Sequence, residues 1–263
     1  MIFSLIKRDI KMSKKSTLIR FGIFFIIFTA YILLNIYRLY DYQIINSKSL
    51  ILEIFRGCNY VEITGGVLNK IFEFPIIWLF INTFIIYAVG DYFYRDMKVN
   101  GRYVLIRVRK MYLIYIAKIV WSIFLVVLYY GLLLTIIGIL GYLFSNNQYQ
   151  YVDPNYFKID TLKLIIYVFV LYSLTSVSLI TIFITLTLKI KPVYCFLIDT
   201  ALCVSSIFVE SKLFIGQHNL LIRHVPFDTA HNFTIYNSII FNVVITICLI
   251  IIGVRVSAKK EIF

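Results

Sequence analysis

Asp91–Lys118, DYFYRDMKVNGRYVLIRVRKMYLIYIAK, is the stretch on which the reading of the whole chain turns. It opens with charges (Asp91, Arg95, Asp96, Lys98) and breaks at Asn100-Gly101. A basic run with apolar residues between its cations follows (Arg102, Arg107, Arg109, Lys110). Lys118 falls where the next apolar tract is already under way. Long apolar runs flank the segment, which is too short for a domain and too regular for a plain linker. A basic, apolar-interleaved segment of this kind lies along a membrane surface and offers side chains to a partner.

The composition points the same way. The chain has 263 residues, 61% hydrophobic and only 15% charged, where a soluble domain carries about 25% charged and roughly 45–50% apolar residues. Several runs exceed the ~18 apolar residues that mark a membrane-spanning helix. Working outward from Asp91–Lys118, the pattern predicts an all-α polytopic membrane protein forming one transmembrane domain over 1–263. Spans are expected at about 21–37, 71–90, 111–144, 162–188, 193–209 and 235–254. Residues 1–20 carry Lys7, Arg8, Lys11, Lys14, Lys15 and Arg20 among apolar side chains, and predict an uncleaved amphipathic helix in the interface. Leu50, Ile51, Ile54 and Phe55 have helical spacing within the first loop, which Gly65-Gly66 ends. Lys189–Pro192 is so short a turn that spans 4 and 5 must be antiparallel neighbours.

The distribution of charge gives an orientation. Six spans place both termini on one side, and the segments on that side hold 18 Lys/Arg against 8 opposite, with 4 and 8 acids respectively. Nearly all of the net +13 therefore lies on one face, which the positive-inside rule makes cytoplasmic in a plasma membrane. Nucleic acid is not needed as a partner; a lipid bilayer is.

The search for chemistry is short. There is no GxxxxGK[ST], HExxH, GxSxG or GxGxxG, no catalytic residue and no cofactor is expected in this chain, and no metal site. His218, His224 and His231 are spaced by six and seven, share no helical face and read as surface histidines. Cys58, Cys195, Cys203 and Cys248 form no CxxC and read as free thiols. Asp199 is the charge well inside a span, with no partner at ±3 or ±4. Two readings stay open for it: a cavity-lining acid meeting a cationic cargo or a proton, or a neutral or paired Asp bonded to the hydroxyls of span 4 (Ser173, Ser176, Ser178, Thr181, Thr185). Gly131, Thr135 and Gly138 form a small-residue face, expected to pack against another helix.

As a whole the layout resembles the permease subunit of an ABC-2 type exporter. A basic N-terminal helix, six spans, a charged helix between spans 2 and 3 and a mixed outer segment before span 6 all match. In Asp91–Lys118 the acidic start, Gly101, the Arg107/Arg109 pair and Lys118 echo that family's pattern, although its Pro-x-Ser/Thr-Arg element is replaced by Arg107-Val108-Arg109-Lys110. The absence of an outer domain is most similar to small bacterial permeases that export, or give immunity to, antimicrobial peptides. The resemblance implies a homodimer or a pair with a similar permease, and a separate P-loop ABC ATPase that carries ATP and Mg. It also implies a peptide or amphiphilic cargo. Asp91, Arg95, Asp96, Lys98, Asn100, Gly101 and Arg102 would form a cytoplasmic coupling helix seated in the ATPase. The competing class is a stand-alone membrane immunity or scaffold protein that binds a partner through its basic face. A membrane-embedded enzyme is disfavoured by the lack of paired ionisable residues in the spans.

Overall fold

The structure is a computed structural model that describes residues 2–39, 46–58, 75–101, 104, 108, 110–145, 159–209, 211–227 and 233–259. Helices α1 (Ile2–Leu39), α2 (Ser47–Phe55), α3 (Ile76–Val99), α4 (Met111–Leu143), α5 (Thr161–Thr187), α6 (Pro192–Phe208) and α7 (Ile235–Ala258) make up the bundle. Two 3-10 turns, η1 (Ile215–Asn219) and η2 (Leu221–Arg223), stand before α7. No strand pairs into a sheet among the described residues, where a lone bridge joins His224 to Phe233.

Five of these helices, α1, α3, α4, α5 and α7, are long and apolar enough to cross a membrane. The fifth predicted span, 193–209, is α6, which has 17 residues, about 25 Å against a hydrocarbon core of ~30 Å. It falls short of the length of a regular span. It starts after the turn Leu188–Lys191 with Pro192 at its first position, where a missing N–H is harmless.

The N-terminus departs from expectation. Instead of an interfacial helix followed by a span, α1 is one helix of 38 residues, about 57 Å long. The sequence supplies no proline in this stretch and no break near Arg20. The buried seam also continues without a phase change through Leu5, Asp9, Ser13, Thr17, Phe21, Phe24, Phe28, Ile32 and Ile36. Its first half packs through polar residues and its second half through aromatic ones. Phe24 stacks on Phe84 of α3 with centroids 4.2 Å apart, and Tyr129 of α4 closes the cluster, donating its hydroxyl to the Ile81 carbonyl at 3.2 Å.

The charged segment after span 2 is not a separate helix either. No breaker intervenes before Asn100-Gly101, so Asp91–Val99 are the last turns of α3 itself. Gly90 lets α5 come close: a Cβ there would lie 2.5 Å from the Phe183 ring. The helix expected around Leu50–Phe55 is α2, started by an Asn46/Ser49 capping box and buried through Leu50, Ile51, Leu52, Ile54 and Phe55. Gly65-Gly66, Arg102, Arg107 and Arg109 lie outside the described residues.

The small-residue face of α4 is open among the described residues. A Cβ on Gly131 or Gly138 would meet nothing within 4 Å, and Thr135 is exposed and bonds back to Leu132. The start of α2 touches its edge, where Ser47 Oγ donates to the Gly138 carbonyl at 3.2 Å. Close approach occurs instead at Gly141 against Ser47 and at Gly253 against Tyr115, where backbone must pass backbone or a ring.

Contacts fix which helix ends lie together. Lys118 of α4 reaches Asp9 of α1 and Asp96 of α3. Tyr115, one turn earlier on α4, bonds Thr185 of α5 at 2.9 Å and Leu249 of α7 at 3.4 Å. The start of α1 and the end of α7 are therefore at the same end of the bundle. At the opposite end, the residues from Ile215 to His224 are all buried and fill the space between the helices.

Candidate functional site

The residues singled out in Asp91–Gly101 divide by direction. On α3, Asp91 and Arg95 form an i,i+4 pair at 3.0 Å, with the Arg95 side chain 64% exposed. Asp91 is also bridged by Arg20 of α1, whose guanidinium donates to the Ala88 carbonyl at 3.3 Å and lies over the Tyr87 ring. Lys98 is exposed.

Asp96 points the other way, into the bundle, at 6% exposure. Its Oδ2 accepts from Arg8 at 2.7 Å and from Lys118 at 2.5 Å, and its Oδ1 accepts from Asn100 at 2.9 Å. Asp9 completes the cluster, accepting from Arg8 at 2.6 Å and facing Lys118 Nζ at 3.1 Å. Tyr92 lies between them: Lys118 donates to its hydroxyl at 3.0 Å and sits over its ring at 4.3 Å from the centroid. That hydroxyl donates in turn to the Asp9 carbonyl at 3.3 Å. Two cations and two anions cancel. The arrangement ties α1, α3 and α4 together at one point, and it is the kind in which removing one partner strands a charge out of water.

The cluster is not complete. Arg8 Nη1 and Asp9 Oδ2 are buried with no hydrogen-bond partner among the described residues. Buried polar atoms are ordinarily paired, so these two leave the joint with unused bonding capacity.

Sequence reasoning anticipated Asp96 as a docking residue; the structure places it inside. Asp9 and Lys118 were not recognised as its partners, although a signal was available. A lone acid on the Leu5–Asp9–Ser13–Thr17 seam and a lone lysine two turns into an apolar helix are both expensive unless they meet.

Asp199 is fully buried on α6 between Cys195 and Cys203, and neither carboxylate oxygen has a hydrogen-bond partner among the described residues. The hydroxyls of α5 do not serve it. Ser176 bonds Tyr130 of α4 at 2.7 Å, and Ser178 bonds Asn242 and Thr246 of α7. Thr181 and Thr185 return to their own helix's carbonyls. The bonded alternative is thus not realised, and Asp199 stands as an isolated acid out of reach of solvent.

At the opposite end the histidines correct a further expectation. His218 and His224 are not on the surface: they are 2% and 0% exposed and lie on either side of one hydroxyl, that of Ser238 at the start of α7. His218 Nδ1 is 2.9 Å from Ser238 Oγ and His224 Nε2 is 3.0 Å from it. Burial pushes both rings down to about 4. Nearby, Trp78 Nε1 donates to Asn219 at 3.0 Å, Asn219 donates to Asn82 at 2.8 Å, and Asn82 returns to the Trp78 carbonyl at 2.7 Å. Arg223 caps the end of α6, donating to the carbonyls of Ser206 and Ile207 at 2.8 and 3.0 Å. His231 is outside the described residues.

No family model matches the chain, and neither does any curated protein or solved structure.

Proposed function

We propose that the chain is the permease subunit of an ATP-driven exporter, moving a peptide or amphiphilic cargo across the plasma membrane with a separate P-loop ATPase. The observation that carries the reading is the construction of the α3 terminus. Its outer face presents Arg95 and Lys98 to solvent, while its inner face is bonded through Asp96 to α1 and α4. A partner seated on the outer face would therefore push on three helices at once. Exposed Lys7, Lys11, Lys189, Lys191 and Arg255 at the same end add a basic rim, suited to setting register with a partner and to holding anionic lipid. With both termini at this end, the rim faces the cytoplasm in the proposed orientation.

The coupling surface is narrower than the sequence pattern implied. Arg95 and Lys98 are its outward residues; Asp91 is bound to α1, and Asp96 and Asn100 belong to the joint behind it. Reversing Arg95 and Asp96 together would therefore break the fold and the docking at once, whereas Arg95→Glu isolates the docking. The test is purification of the tagged chain from its host followed by ATPase assay in nanodiscs. Co-elution of a P-loop ATPase whose turnover rises with cargo, and falls with Arg95→Glu, is the expected result. An intact chain that retains no ATPase, yet still protects cells from a toxic peptide, would favour the stand-alone immunity protein instead.

A further inference from the structure

We infer that His218, Ser238 and His224 form a buried binding site for a single proton, which locks the Ile215–Arg223 segment to the first turn of α7. The number of hydrogens at the site decides this, whatever the chain transports. Each ring is held by a backbone carbonyl on its outer nitrogen: Lys212 for His218 Nε2 at 2.9 Å and Leu220 for His224 Nδ1 at 3.1 Å. A carbonyl can only accept, so both outer nitrogens carry hydrogen and both tautomers are fixed. Turning either ring over would lose both of its bonds.

The inner nitrogens, His218 Nδ1 and His224 Nε2, are then bare lone pairs in the neutral rings, and both face Ser238 Oγ. A serine hydroxyl has one hydrogen. It can satisfy one ring and must leave the other as an unpaired acceptor with almost no exposure to water. One added proton resolves the conflict. The ring that takes it donates to Ser238 Oγ, and the hydroxyl donates to the other ring. A concerted shift of two hydrogens along N–H···O–H···N moves the charge from one ring to the other with no bond lost. A second proton is opposed because two like charges would share a buried site with no counter-ion among the described residues.

The surroundings set the strength. Phe241 stacks on His218 at 4.2 Å and Phe233 stands edge-on to both rings, so the charge has aromatic faces beside it but no counter-ion among the described residues. Lys212 contributes its carbonyl, with its ammonium over Phe233, and Arg223, next to His224, turns to carbonyls of α6 and to Cys58. Burial works against the imidazolium in both rings, and the charge of His218 lowers His224 further. The unpaired lone pair works for it. Uptake of one proton and refusal of the second follow from that balance.

The experiment is NMR of the full chain in nanodiscs with its histidines ring-labelled with 15N, titrated from pH 8 to pH 3. The expected result is Nε2–H on His218 and Nδ1–H on His224 at high pH. Both inner nitrogens then move together along one curve that accounts for one proton per chain. Ser238→Thr keeps the shared curve. Ser238→Ala abolishes the sharing and lowers the midpoint by about one pH unit. Two independent titrations near the ordinary histidine value, or rings that stay neutral throughout, would overturn the inference. So would a Ser238→Ala curve superimposable on the wild type. If Ser238→Ala does not fold, the wild-type curve decides alone.

Discussion

The two ends of the bundle are held together by different chemistry. At the end that gathers both termini, α1, α3 and α4 meet through full charges: Arg8, Asp9, Asp96 and Lys118, with Tyr92 among them. At the other end, the 211–224 segment, α2, α3, α6 and α7 meet mostly through amides, hydroxyls and carbonyls, as in the closed ring Trp78–Asn219–Asn82, with the Arg223 guanidinium bound to carbonyls of α6. Neutral bonds to backbone have a single good geometry and make a seal. Ion pairs act over longer distances, and each end keeps buried atoms without a partner among the described residues, Arg8 Nη1 and Asp9 Oδ2 at one and Gln217 Oε1 at the other. The contrast teaches that charge balance holds one end and bond geometry the other.

The comparison can be broken most directly at Lys118. Lys118→Met should destabilise the protein by about 3–5 kcal/mol, because Asp9 and Asp96 would share the half-exposed Arg8 alone. Adding Asp96→Asn should restore much of that loss, and thermal unfolding of both variants in detergent gives the coupling. A neutral Lys118→Met would mean that the cluster is not holding the helices.

Acid should loosen the opposite end. The rings of His218 and His224 are pushed from an ordinary 6.5 down to about 4 in the fold. The unfolded chain therefore binds more protons between those values, and stability falls as pH is lowered through that window and levels off on either side. Two rings that stayed neutral down to about 4 would give two rings' worth of slope; a pair that has already taken one proton gives one ring's worth, about 1.4 kcal/mol per pH unit. Trp78 fluorescence in a Trp121→Phe background reports it, since the indole is bonded to Asn219 within this end. A pH-independent signal would remove the contrast between the ends.

Asn219→Leu should cost about 2 kcal/mol by leaving Trp78 Nε1 and Asn82 Oδ1 unpaired, visible as faster hydrogen exchange confined to the sealed end. Asp199→Leu should go the other way, gaining about 1 kcal/mol by removing a buried acid without partners. A gain in melting temperature with a loss of transport would assign Asp199 to function, and a gain with transport intact would leave it none. Arg95→Glu, on the exposed side of α3, should change stability by no more than about 0.5 kcal/mol, so that any effect on ATPase turnover reads docking alone.

Much of this architecture was legible in the sequence. The helical character of α2 through α7 followed from apolar runs and punctuation, and Lys189–Pro192 correctly made α5 and α6 neighbours. What was not legible depended on which way a residue faces. A helical repeat is silent on whether a charge such as Asp96 looks outward to a partner or inward to Lys118. That choice is made by α1, distant in the chain, whose Asp9 and Arg8 complete the cluster. The same limit leaves Gly131 and Gly138 open, since small residues permit close approach but do not name the neighbour. It also misread the histidines, because spacing on one helix has no meaning in a segment of 3-10 turns. The join in α1 was missed for a different reason: its basic half looked like a separate amphipathic helix, and only the unbroken buried seam from Leu5 to Ile36 shows one rod.

The shortness of α6 reaches beyond the protein. At 17 residues it stands beside neighbours of 24 and 27 residues in α3 and α5, so its apolar flank is shallower than a bilayer. Tyr194, Leu197 and Ile198 on that flank face outward, toward acyl chains. Set in a bilayer, a flank this short would draw the lipid along its quadrant to thin or tilt to match it, leaving a dent in the annulus on this side of the molecule.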